Sequence, residues 1–283
     1  MKIVECPRDA MQGIKEFIPT PEKVRYINQL LRVGFDTLDF GSFVSPKAIP
    51  QMKDTADVLN ALDLSNSKTE LLAIIANTRG AEDAASFDRV NYLGFPLSIS
   101  ETFQVRNTNK TITEALNTLV EIKDICVRKD KKLVVYVSMG FGNPYGDPYD
   151  DGMVSSFVEI LLALGADVIS IADTVGAATE SQIRLLMTSL LPKYPGREIG
   201  LHLHASTKDS REKIVAAIES GCTRIDGALR GYGGCPMAKD DLVGNLATEE
   251  VIAFLDEIGR APLIDRKELA KAMSVADEIF PKH

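Results

Sequence analysis

KLVVYVS (Lys132–Ser138), DGMVSSFVEILLAL (Asp151–Leu164), DVISIA (Asp167–Ala172), TESQIRLLMTSLL (Thr179–Leu191) and EIGLH (Glu198–His202) follow one another with only short joins. The first, third and fifth segments are short and mostly apolar or β-branched. The second and fourth are longer, with apolar residues at helical spacing. The stretch therefore predicts strand, helix, strand, helix, strand, which is the repeat of a parallel sheet covered by helices.

The same alternation extends in both directions. Toward the N-terminus, strands are predicted near Lys2–Cys6, Thr37–Phe40, Glu70–Ala76 and Arg89–Phe95. Helices are predicted near Glu22–Arg32, around Gln51–Ala61, from about Arg79, and over Ile112–Arg128. Toward the C-terminus a helix over Lys208–Glu219, a strand over Thr223–Asp226 and a helix near Thr248–Ile258 complete the series. Gly34, Gly165, Gly200 and Gly221 are placed at turns where a helix must stop before a strand begins.

Eight βα units in roughly 258 residues favour a closed (β/α)₈ TIM barrel. An open doubly wound sheet is the competitor, but no GxGxxG follows the first strand and no Walker motif is present. The segment about 259–283 includes Lys267–Ile279, expected to form an extra C-terminal helix over a barrel face or a partner subunit. The whole of 1–283 is thus expected to be one catalytic domain, with the barrel over about 1–258.

The 283 residues are 45% hydrophobic and 25% charged, as in an ordinary globular protein. A net charge of −8 and the absence of a long basic run argue against nucleic acid or an anionic membrane surface as partner. MKIVECPRDAMQG meets charge and proline too early to be a signal peptide, and the apolar run Phe157–Ile171 is broken by Glu159 and Asp167. Cys6, Cys126, Cys222 and Cys235 match neither a zinc ribbon nor a disulfide scaffold, so a reducing cytoplasm is expected.

In a TIM barrel, chemistry gathers at the C-terminal ends of the strands. The unusual polar residues fall there: Arg8, Asp9 and Gln12 after the first strand, Asp39 and Ser42 at the second, and Asn77 after the third. Ser138 ends the fifth, Asp173 and Thr174 follow the sixth, His202 and His204 lie at the seventh, and GYGGCP and Asn245 follow the eighth. Residues i and i+2 of a strand point the same way, so the two imidazoles can converge on one ion. An isolated HxH is also compatible with two hydrogen-bonded core histidines. The other candidate donors, Asp9, Asn77, Asp173 and Asn245, are oxygen ligands, which suit Mg²⁺, Mn²⁺ or Co²⁺ better than a soft zinc site. Cys235 sits among glycines that let a loop approach a ligand, and is either catalytic or an inert thiol.

Five segments carry a family resemblance: PRDAMQG (Pro7–Gly13), GSFVSPKAIPQM (Gly41–Met52), IADTVG (Ile171–Gly176), GGCP (Gly233–Pro236) and GNLATE (Gly244–Glu249). From Ile3 to about Ile258 the chain resembles hydroxymethylglutaryl-CoA lyases, within the pyruvate-carboxyltransferase-like group of metal-dependent TIM-barrel lyases and Claisen-type synthases. The resemblance implies metal ligands at Asp9, His202, His204 and Asn245, and catalytic residues at Arg8, Cys235, Asp39 and Asp173. Gln12, Ser42, Asn77, Ser138 and Thr174 are the expected substrate-binding residues. It implies retro-Claisen cleavage of 3-hydroxy-3-methylglutaryl-CoA to acetyl-CoA and acetoacetate, with Arg8 stabilising an enolate and Cys235 donating a proton. The expected cofactor is Mg²⁺ or Mn²⁺, with Co²⁺ or Zn²⁺ as alternatives; the expected partners are an acyl-CoA and a second copy in a homodimer.

The chain departs from the usual pattern at several points. Asp39 stands where glutamate is usual, and Glu5 and Cys6 precede the proline where the common pattern has glycine. HASTKD replaces HDTYG after the second histidine, which puts Ala205 in place of an acid. SMGFGNPYGDP lacks the cysteine that many relatives carry, and Cys235–Asn245 reads one residue longer than usual. These positions bear on acyl specificity, and a same-fold lyase or condensing enzyme acting on another 3-hydroxyacyl-CoA or 2-oxo acid is the alternative reading.

Overall fold

The structure, a computed structural model, describes residues 1–234 and 243–280. Eight parallel strands close into a barrel in chain order. They are β1 (Lys2–Glu5), β2 (Thr37–Ser42), β3 (Glu70–Ile74), β4 (Tyr92–Ser98), β5 (Lys132–Ser138), β6 (Val168–Asp173), β7 (Glu198–Leu203) and β8 (Arg224–Gly227). β1 pairs with β8 from Lys2–Arg224 to Glu5–Gly227, which closes the ring. The strands are buried along almost their whole length because helices cover the outside and side chains fill the inside.

The described helices are α1 (Pro7–Gln12), α2 (Thr20–Val33), α3 (Thr55–Ala61), α4 (Thr78–Ala85), α5 (Glu101–Thr108), α6 (Ile112–Arg128), α7 (Asp151–Ala163), α8 (Glu180–Leu190), α9 (Ser210–Glu219), α10 (Thr248–Glu257) and α11 (Arg266–Ile279). α6 has the limits read from the sequence, because the Thr111–Glu114 capping box fixes its start. Two short helices escaped that reading. α1 is too brief to show a period, although Pro7 at its first turn is a start signal. α5 has no apolar stripe: it buries only Phe103 and Gln104, and starts on a Ser100 cap. The fourth strand lies later than expected, since Pro96 does not end it but pairs in register with Tyr136.

Inside the barrel, Leu72, Ile74, Tyr92, Val134, Tyr136 and Val168 form an apolar cluster on one side. The other side is polar: Ser170, His202, Arg224 and Asp226 are all buried there. Gly34, Gly165 and Gly221 do adopt the left-handed conformation at helix ends. Gly200 does not; it lies within β7, where a Cβ would come within 2.9 Å of the Arg224 side chain. Its role is to leave room for that buried arginine, not to end a helix.

α11 buries Leu269, Ala272 and Ala276. It is joined to α2 by Arg25–Glu278 at 2.8 Å and by the edge-on rings of Tyr26 and Phe280. It also reaches the turn after β8, where Phe280 stacks on Tyr232 at 4.5 Å and Asp277 receives Arg230 at 2.7 Å. No helix among the described residues is long and apolar enough to cross a membrane.

Candidate metal centre and active site

α1 follows β1 directly, and its first turn delivers Arg8 and Asp9 to the carboxyl end of the barrel. Arg8 Nη1 donates to Asp9 Oδ1 at 2.8 Å and to Gln12 Oε1 at 2.9 Å. Gln12 Nε2 donates to Asp9 Oδ1 at 2.7 Å, so one helical turn locks the three side chains together. On its other edge Arg8 forks onto Asp39 within β2, with Nε 3.0 Å from Oδ2 and Nη2 donating to the same carboxylate. Both partners are buried, and the planar fork matches a carboxylate in a way a lysine cannot.

His202 is the penultimate residue of β7 and His204 stands just beyond the strand, their rings 5.3 Å apart. The chain returning from the eighth unit pairs beside them: His204 bridges to Asn245, the Ala205 amide donates to Gly244, and the Leu246 amide donates to Leu203. That pairing brings Asn245 to the histidines. Asn245 Nδ2 donates to Asp9 Oδ2 at 2.7 Å and to the Tyr232 carbonyl at 2.8 Å. Gly233 makes the close approach possible: at φ +93°, a Cβ there would lie 2.7 Å from the Asp9 carbonyl and 2.8 Å from Asn245 Nδ2.

Asp9, His202 and His204 present ligand atoms within 4.8 Å of one another, all buried. The hydrogen bonding says which atoms remain for an ion. His204 Nδ1 lies 3.1 Å from the Thr174 carbonyl, an acceptor, so Nδ1 carries the proton and Nε2 has a free lone pair. His204 Nε2 and Asn245 Oδ1 are both buried without a partner. An unpaired buried acceptor is costly, and two beside a carboxylate fit a cation. His202 Nδ1 sits 3.3 Å from Asp226 Oδ2, an ion-pair distance without the alignment of a full hydrogen bond. That places Asp226 behind the ring, as carboxylates stand behind metal-binding imidazoles.

For Asp9 and His204 the electrostatics agree; His202, which burial would lower, is instead raised by Asp226 and Asp9. Burial would raise the Asp9 carboxyl, but Arg8, both imidazoles and the Asn245 amide outweigh it and hold it at about 2. Burial and the neighbouring His202 push His204 down to about 4, so it is neutral, the form that binds a metal. Burial raises Asp39 despite Arg8.

Other expected site residues spend their side chains on structure. Asn77 Oδ1 caps α4, accepting from the Gly80 amide at 2.9 Å. Ser42 Oγ accepts from the Val44 amide at 3.2 Å, and Thr174 Oγ1 accepts from the Met139 amide at 2.8 Å. Ser138 closes β5, buried. Asp173 is buried against Lys213 Nζ at 3.0 Å and the Ala178 amide at 3.1 Å. Cys235 lies outside the described residues. Sequence reasoning gave Asp226 and Lys213 no role and noted Glu5 only as a departure from the common pattern. Asp226 is marked only by being an acid at a strand end and Glu5 by a charge among apolar neighbours; Lys213, in SREKIV, carries no such mark.

A cavity of about 700 Å³ opens beside the donor set, lined among others by Ala10, Ala205, Arg230, Gly233 and Asn245. Its size suits a small-molecule ligand.

A closed parallel barrel with acid, imidazole and amide donors converging at its carboxyl rim defines an enzyme of the TIM-barrel class with a possible metal-binding group. Within that class, a family model described as HMGL-like matches residues 2–276, and the chain belongs to that family. It is 32% identical over 276 residues to hydroxymethylglutaryl-CoA lyase YngG of Bacillus subtilis, spanning 98% of this chain and 91% of the relative. A structure described as an HMG-CoA lyase from Acinetobacter baumannii in complex with coenzyme A and 3-methylmalate superposes with TM-score 0.91 at 31% identity, covering 99% of this chain and 90% of that one. The hydroxymethylglutaryl-CoA lyase of Pseudomonas aeruginosa gives 0.92 at 28% identity, covering 100% and 93%.

Proposed function

We propose that the protein cleaves 3-hydroxy-3-methylglutaryl-CoA to acetyl-CoA and acetoacetate. The observation that carries the reading is the placement of the buried Arg8–Asp39 pair directly against the Asp9, His202, His204 and Asn245 donor set. Relatives named for this reaction support the substrate. Asp9, His202 Nε2, His204 Nε2 and Asn245 Oδ1 would hold a divalent ion, Mg²⁺ or Mn²⁺ in preference to Co²⁺ or Zn²⁺. When bound, that ion would polarise the substrate's C3 hydroxyl and fix its orientation.

The chain's own residues account for the rest. A base takes the C3 hydroxyl proton, the C2–C3 bond breaks to leave the ketone of acetoacetate, and the electron pair passes to the thioester as an enolate. Burial makes both Asp39 and Asp173 more basic, but Asp39 suits the base role better because its neighbours are Arg8, Asp9 and His202, whereas Asp173 is held by Lys213. Arg8, buried beside the donor set, is the cation that would stabilise the enolate oxygen. Cys235 then protonates the carbon to give acetyl-CoA. Gln12 holds Arg8 and Asp9 in register, and the cavity beside Ala205 and Gly233 would take the acyl-CoA. The cysteine pattern, which fits no disulfide scaffold, supports a reducing cytoplasm, and a homodimer is proposed alongside it.

The test is a cleavage assay on a panel of 3-hydroxyacyl-CoA thioesters and 2-oxo acids with added Mg²⁺ or Mn²⁺. Acetoacetate release from hydroxymethylglutaryl-CoA at the highest kcat/KM supports the assignment. Turnover confined to another member of the panel sinks the substrate name and keeps the chemistry.

A further inference from the structure

Lys213 projects from α9 and is 2% exposed. Its ammonium donates to the His204 carbonyl at 2.7 Å, to Asp173 Oδ2 at 3.0 Å and to the Gly176 carbonyl at 3.1 Å, while Asp209 Oδ2 lies at 3.1 Å. These oxygens come from the ends of β6 and β7 and from the start of α9. A charge so far from water holds only where its partners are in place.

The imidazole of His204 is fixed at two points, its own main chain and the Thr174 carbonyl on Nδ1. Lys213 acts on both. It holds the His204 carbonyl directly, and it holds Asp173, the residue before Thr174. Asp173 in turn receives the Ala178 amide and so closes the turn that presents the Thr174 carbonyl.

We propose that Lys213 is a positioning residue for the metal centre, setting the direction of His204 Nε2 through the His204 carbonyl and the Asp173–Thr174 turn. The inference rests on the reading of Asp9, His202, His204 and Asn245 as metal donors. It assigns the Asp173 carboxylate to Lys213 instead of to proton transfer.

The test titrates Mn²⁺ into chelator-stripped wild type, Lys213→Met, Lys213→Gln and His204→Ala, below the melting temperature of each. A Co²⁺ absorption spectrum is recorded in parallel. Lys213→Met is expected to raise the Mn²⁺ Kd by about 10–100-fold and to shift the Co²⁺ bands, as loss of outer-sphere support does elsewhere. Lys213→Gln, which keeps a donor for the His204 carbonyl, is expected to fall between it and wild type. Wild-type Kd and spectrum in folded Lys213→Met, with weakened binding in His204→Ala, overturn the role of Lys213 alone. Wild-type binding in His204→Ala overturns the metal donors themselves. If Lys213→Met does not fold because Asp173 is left buried and unpaired, the neutral pair Lys213→Met/Asp173→Asn is read by the same criteria.

Discussion

Arg8 and Asp39 meet edge to edge, Nε 3.0 Å from Oδ2, while the opposite edge of the same guanidinium holds Asp9 Oδ1 at 2.8 Å. One planar cation thereby spaces a candidate metal ligand from a candidate base. The spacing depends on shape as much as on charge.

Arg8→Lys keeps the charge and loses the fork. A lysine cannot bond both carboxylates in these directions, and Asp39 is left buried with a poorer partner. Turnover is expected to fall by about 10²–10³-fold, with KM moving much less. Steady-state kinetics beside a melting curve check this; near-wild-type kcat in Arg8→Lys would show that charge alone suffices.

Asp226 stands 3.3 Å behind His202 Nδ1 and accepts from Ser170 Oγ at 3.1 Å. Asp226→Asn keeps the shape but removes the charge that favours Nδ1–H and a basic Nε2. Metal affinity is expected to weaken about 10–100-fold. Calorimetric Mn²⁺ titration of the stripped variant reads it directly, and an unchanged Kd would separate Asp226 from the metal centre.

Much of this site was legible in the chain. PRD after the first strand, HxH at the seventh and GNLATE after the eighth each fall at a strand end, where the barrel brings them together. What the sequence did not show are contacts that join distant segments. Lys213 meets Asp173 from 40 residues away, and neither helix period nor strand alternation distinguishes a buried lysine from a solvated one. Asn77 and Ser42 illustrate the converse: their place at strand ends is right for a site, but nearby backbone amides occupy their oxygens.

Glu5 is fully buried and accepts from the Leu229 amide and the Thr248 hydroxyl, so one carboxyl ties both roots of the segment that carries Asn245. Burial lifts its pKa to about 8, against hydrogen bonds that lower it. A raised carboxyl pKa removes stability as pH rises. The unfolded chain ionises from about pH 4.5, whereas the folded chain holds its proton up to about 8. Glu5→Gln mimics the protonated form. Its melting temperature minus that of wild type is therefore expected to grow from pH 5 to pH 8 and then level off. A pH-independent gap would contradict this account.

Cys235→Ser addresses the proposed proton donor. A hydroxyl is a far weaker acid than a thiol, so turnover is expected to drop while Mn²⁺ affinity stays at the wild-type value. Undiminished turnover would remove Cys235 from the reaction.

Gly233→Ala asks whether the approach of the glycine-rich segment sets the metal centre. Its φ of +93° is a strained conformation for alanine, and the added methyl would meet the Asp9 carbonyl at 2.7 Å and Asn245 Nδ2 at 2.8 Å. Gly196→Ala separates the two effects, because Gly196 has φ +79° with nothing within 4 Å of a Cβ. Left-handed strain costs about 1–2 kcal/mol, so both variants are expected to melt lower than wild type. Only Gly233→Ala displaces atoms that hold Asp9 and Asn245, so only it is expected to lose metal affinity and turnover. Equal metal affinity in the two variants would mean that the segment can shift without moving either ligand.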